Sequence, residues 1–144
     1  MKKQIIISTI IGIFFISNIN FLSAQQTRRD TLSYLQQIVA NKADYIGKPF
    51  SVLKRDLKLK IIHFNSLGKE GHKSEATAIT FRFITPKRDE DFSYPKLIIF
   101  WKSPYIDISK SDELYLKDKK NLGAWNKEVE SLFGSCIIED IQAR

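Results

Sequence analysis

Five large apolar residues in a row, Leu97-Ile98-Ile99-Phe100-Trp101, stand between Pro95 and Pro104. Successive side chains of a strand point to opposite faces, so a run without a polar position has no face suited to water. It reads as an inner strand covered on both sides, and the flanking prolines, which lack the N–H that a ladder needs, stop it from extending. A chain holding such a strand must build a sheet around it. It must then shield the second face with a further layer, a partner or a ligand cavity.

Upstream, Ile79, Phe81 and Phe83 alternate with Thr80, Arg82 and Ile84, the period of a strand with one core face. Leu59, Ile61, Ile62 and Phe64 predict an earlier strand over residues 58–64, ended by the turn-rich stretch 65–74 with Gly68 and Gly71. Before the strands, Asp30 suits the cap of a helix whose stripe is Leu32, Leu35, Ile38 and Val39, with Gly47 as a stop. Pro49 then suits the first turn of a second helix carrying Phe50, Leu53 and Leu57 on one side.

Residues 105–121 read as a loop with a turn or two of helix from Ser111. After it, Trp125, Val129, Leu132 and Phe133 mark an amphipathic helix ended by Gly134, and residues 136–141 a last strand. The expected class is therefore α+β: two N-terminal helices, a three-stranded antiparallel meander, a C-terminal helix and a final strand. Its helices lie on one face of a roughly four-stranded sheet.

Ahead of all this, Met1-Lys2-Lys3 precedes an apolar stretch from Ile5 to Leu22 and the small residues Ser23 and Ala24. That order is the pattern of a secretory signal peptide over residues 1–24, cut before Gln25. Ser17, Asn18 and Asn20 put polar groups where a spanning helix would need apolar ones, and Gln25 stands where a lipid-anchored protein carries cysteine. Residues 25–29 are expected as a short tail and 30–144 as one globular domain, free of the membrane after cleavage. The formal charge of +7 becomes +5 once Lys2 and Lys3 are removed with the leader. An exported chain rarely meets nucleic acid, so no nucleic-acid partner is expected, and the signs interleave in Lys87-Arg88-Asp89-Glu90-Asp91 and Lys117-Asp118-Lys119-Lys120, as on a solvated surface.

Cys136 is the single cysteine, so no disulfide can form within the chain and stability has to come from the core. A cysteine nucleophile needs a histidine base, but Cys136 leads into Ile137 and Ile138 as a small apolar filler. His63 falls on the first expected strand, half-buried, and His72 in a glycine-flanked solvated loop. Asp89, Glu90, Asp91, Asp107, Asp112 and Glu113 all fall in expected loops without the spacing of a calcium loop. Gly47-Lys48 lacks the further glycines and the hydroxyl of a phosphate loop, and Pro49 removes an amide donor. No catalytic residue, metal or cofactor is assigned.

The remaining lead is aromatic: Phe92, Tyr94, Trp101 and Tyr105 flank or end the two-sided strand, where they could line a groove. The expectation is an exported, non-enzymatic envelope or secreted module that binds a protein, peptide or small ligand. The alternatives are a small periplasmic hydrolase-type enzyme with a site at one end of the sheet, near His63, and a structural partner in an envelope assembly.

Overall fold

A computed structural model describes residues 27–85 and 93–144; the leader and Phe92 lie outside the described residues. Strands β1 (His63–Leu67), β3 (Ala78–Arg82), β4 (Lys96–Trp101) and β6 (Ile138–Ala143) form one antiparallel sheet in the order β1-β3-β4-β6. Two shorter strands, β2 (Glu75–Ala76) and β5 (Ile106–Asp107), pair apart from it. Helices α1 (residues 27–40), α2 (Phe50–Asp56), α3 (Ile108–Leu116) and α4 (Lys127–Phe133) complete the described residues, with a 3-10 turn at Lys42–Asp44. The α+β class and the four-stranded sheet with helices packed on it are as expected.

The period-2 pattern decides the packing. Cross-strand pairs Phe64↔Phe81, Phe81↔Leu97, Ile79↔Ile99 and Ile99↔Ile141 share one face. Leu35 and Ile38 of α1, Phe50 and Leu53 of α2, and Val129 and Phe133 of α4 join them in one buried cluster. Aromatic rings fill its centre. Phe50 stacks on Phe81 at 5.0 Å and Trp101 on Phe133 at 5.9 Å, while Trp125 meets Phe50, Phe64 and Phe81 edge-on. Such pairs add about 0.5–1.5 kcal/mol each beyond the area they bury.

The two-sided strand is β4, next to the edge strand β6. Leu97, Ile99 and Trp101 enter the core by the strand's own alternation, and the register shift opposite Phe100 and Trp101 leaves Glu139 of β6 as the extra residue. On the other face Ile98 is 6% exposed between its partners Thr80 and Gln142, and Phe100 is half-buried beside Ala78 and Asp140. That face is mixed in polarity rather than apolar throughout.

Several boundaries differ from expectation. The first strand runs His63–Leu67, not 58–64: Ile61 drops into the core from the segment before it, and Asn65 to Leu67 continue the ladder into the stretch expected as a turn. Residues 27–29, expected as tail, are helical, and Asp30 lies inside α1 rather than capping it. Pro49 is the N-cap of α2 instead of its first residue. Trp125 precedes α4, whose N-cap is Asn126: its Oδ1 accepts from the N–H groups of Glu128 and Val129. Gly134 caps that helix in right-handed backbone. The last strand begins at Ile138, leaving Cys136 outside it.

Both outer strands are met by neighbouring chain where they begin. Gly47 N–H donates to Ile138 O at 2.8 Å, and Ile138 N–H donates to Lys48 O at 3.0 Å. Across the sheet, Phe64 N–H donates to Gly123 O at 2.8 Å and Trp125 N–H to Ile62 O at 2.9 Å.

Because Phe81 is fully buried at the meeting point of Phe50 and Trp125, Phe81→Ala is expected to lower the unfolding free energy by about 3–5 kcal/mol in urea melts. Leu116→Ala, at a position 56% exposed, should change it by no more than about 0.5 kcal/mol. Equal effects at the two positions would contradict this core.

Candidate functional site

The four aromatic residues expected to share a groove do not converge. Trp101 is 1% exposed between Phe50 and Phe133, its indole N–H without a hydrogen-bond partner among the described residues. Tyr94 sits before the other end of β4, about 20 Å away along a strand of this length. It is buried, and the Arg28 guanidinium lies 3.9 Å from its ring centroid. Tyr105 packs edge-on against His72, which pairs with Glu75 in the β2–β5 corner. Phe92 lies outside the described residues.

Among the described residues a concavity with convergent polar groups lies instead beside β1. There the segment that follows α3 turns back against the sheet and closes a cleft of about 520 Å³, within the range of small-molecule sites. The sheet contributes His63, Phe64 and Asn65 from β1, and Arg82 and Thr85 from β3 and the residues after it. The opposite wall is Tyr115 with the turn Lys119 to Leu122. His63 and Arg82 are direct cross-strand partners on the sheet face opposite the core, so the β pairing itself puts an imidazole beside a guanidinium.

Several hydrogen bonds hold the turn. Asp118 carboxylate accepts the N–H of Lys120 at 3.0 Å, and Asp118 O accepts that of Asn121 at 3.0 Å. Gly123 N–H donates to Tyr115 O at 2.8 Å, while Lys117 pairs with Glu128 of α4. Gly123 is required here. Its φ is +69°, and a Cβ at this position would lie 2.4 Å from Phe64 O and 2.7 Å from the Tyr115 ring. A side chain would push the turn off β1 and open the cleft.

His63 Nε2 and Asn121 Oδ1, 2.7 Å apart, join the two walls. An amide oxygen can only accept, so Nε2–H donates and the Asn121 NH₂ keeps both of its hydrogens for other acceptors. Arg82, Lys119 and Lys120 form no ion pair with the described residues, and no carboxylate among these residues lines the cleft. Lys42, Lys54 and Lys117, by contrast, are matched to Asp140, Glu130 and Glu128. A second depression, of about 460 Å³ between α2 and α4, contains the compensated pair Lys54–Glu130.

The chemistry weighed from sequence is dispersed. Cys136 lies at the far side of the sheet order from β1, its Sγ 3.9 Å from Leu132 O, and burial pushes its thiol up to about 11. His63 faces an amide rather than an acid, and His72 is held by Glu75 in another corner. Asp107 caps α3 through the Ser109 N–H and hydroxyl, and those hydrogen bonds hold its carboxyl below the usual range. Among the described residues no group of three or more His, Cys, Asp or Glu gathers as metal ligands, and no helix is long and apolar enough to cross a membrane. Comparison with protein-family models, with curated proteins and with solved structures finds no match to this chain.

Gly123→Ala should destabilise the chain by about 2 kcal/mol or more, with hydrogen exchange accelerated first at the amides of residues 117–125; unchanged exchange there would overturn the role given to this glycine. The Cys136 thiol keeps its proton to about 11 when folded, against 9.0 ordinarily. Iodoacetamide should therefore label it about 100-fold more slowly in the native chain at pH 8 than in urea. The sign for stability follows: its contribution is complete below pH 9 and is lost as pH rises toward 11, so native and unfolded chains labelling equally fast would contradict the burial.

Proposed function

We propose that this chain is an exported, non-enzymatic binding module of the cell envelope or its surroundings, and that the cleft between β1 and the turn at Lys119 to Leu122 receives its ligand. Export is supported by the leader, in which Lys2 and Lys3, the apolar stretch and Ser23-Ala24 follow in the order that a signal peptidase substrate requires. Binding is supported by a single observation above others. A concave surface of ligand size brings together polar side chains from two strands and a hydrogen-bonded turn, and its basic side chains have no partner of opposite charge among the described residues.

The hydrolase-type alternative finds less support. A nucleophile and a base have to lie within hydrogen-bond reach, whereas His63 is engaged by Asn121 and the Cys136 thiol stays protonated at neutral pH. The binding module makes no covalent change in what it holds, so its affinity, not a turnover, is the property to measure.

Isotope-labelled chain recovered from the exporting cell is expected to begin at Gln25 by intact mass. On addition of small-molecule fractions of an envelope extract, it should shift the amides of residues 63–65 and 119–122. Shifts confined to residues 50–54 and 127–134 would move the site to the other depression, and a recovered chain beginning at Met1 would overturn the export reading.

A further inference from the structure

Building on the cleft as the ligand site, we infer that its ligand is a small organic anion, held through phosphate or carboxylate oxygens by Arg82, Lys119 and Lys120. The donors converge from both walls. Arg82 stands on an inner strand of the sheet, where the ladder to His63 and Lys96 fixes its backbone. Its planar guanidinium offers five N–H groups suited to two oxygens at once. Lys119 and Lys120 come from a turn that Asp118, Tyr115 and the His63–Asn121 hydrogen bond hold in place, so two lysines border the cleft from a preset backbone.

Asn121 adds amide hydrogens, because its oxygen is occupied by His63. Three formal positive charges and these neutral donors then surround a space that no described carboxylate lines, an arrangement that favours an anion over a neutral or cationic guest. Asp118, the nearest acid in sequence, turns its carboxylate to the Lys120 N–H. Tyr115, Phe64 and Leu122 supply the apolar remainder of the wall, which suits an anionic group carried on an organic body rather than a bare ion.

The test is titration of the exported chain with glucose 6-phosphate, glucuronate and glucose, followed by amide shifts. Glucose 6-phosphate or glucuronate should move the amides of residues 82 and 119–121, whereas glucose should not, and the stronger of the two anions tells phosphate from carboxylate recognition. Raising NaCl from about 20 to about 200 mM should weaken the anion several-fold. Lys119→Gln with Lys120→Gln, in a turn held by backbone and Asp118 contacts, should weaken it about tenfold or more, as should Arg82→Gln, while Lys102→Gln on the far side of β4 leaves it unchanged. Glucose binding at the cleft as tightly as its phosphate overturns the anion and leaves the cleft a ligand site. Anion shifts elsewhere on the molecule, or none with either anion, overturn the anion inference, and the extract experiment then decides separately whether the cleft binds anything.

Discussion

The stack of Phe50 on Phe81, extended by Trp125, Phe64, Phe133 and Trp101, is the contact on which the other elements depend. With one cysteine the chain has no covalent tie between distant segments, so the cost of ordering its backbone is met by apolar burial. The rings do more than fill volume. They come from α2, β1, β3, β4, α4 and the segment before α4, so one cluster fixes how the helices lie on the sheet.

The cleft inherits its position from that cluster. Trp125 is anchored among the rings, and the residues just before it, Gly123 and Ala124, run beside β1 with hydrogen bonds on either side. The turn bearing Lys119 and Lys120 is therefore carried by the core at one end and by α3 at the other, and its lysines border the same cleft as Arg82. Among the described residues Arg82, Lys119 and Lys120 have no partner of opposite charge, while Lys42, Lys54 and Lys117 pair with Asp140, Glu130 and Glu128.

Elements with strong period were legible from the residues. Ile79 and Phe81 gave their strand and its core face, Leu97 to Trp101 an inner strand, and Val129 and Phe133 a helix. Boundaries shifted where tertiary contact overrides local pattern, as at Ile61, which is core without being in a strand, and at Trp125, which is core without being in a helix. Helix α3 was missed over most of its length because its sequence, Ile-Ser-Lys-Ser-Asp-Glu-Leu-Tyr-Leu, has little amphipathic period; Asp107 as its cap was the readable signal. The cleft was hidden for a related reason. Lys117-Asp118-Lys119-Lys120 reads as a solvated charge run, and nothing local tells that Lys117 goes to Glu128, Asp118 to a backbone N–H, and the other two lysines to a shared concavity with Arg82. Trp101, conspicuous in the sequence, owes its place to packing.

The capped margins of the sheet bear on how this chain behaves among its own copies. An open strand edge is a row of unused N–H and C=O groups onto which another molecule can add a strand, the first step toward aggregates. Here residues 47–48 occupy the start of β6, residues 123–125 occupy the start of β1, and α3 lies along β1 beyond them. Among the described residues the longer open stretch is Glu139 to Ala143 of β6, and there Glu139 and the Lys42–Asp140 pair set charge along the margin, which discourages strand-by-strand growth.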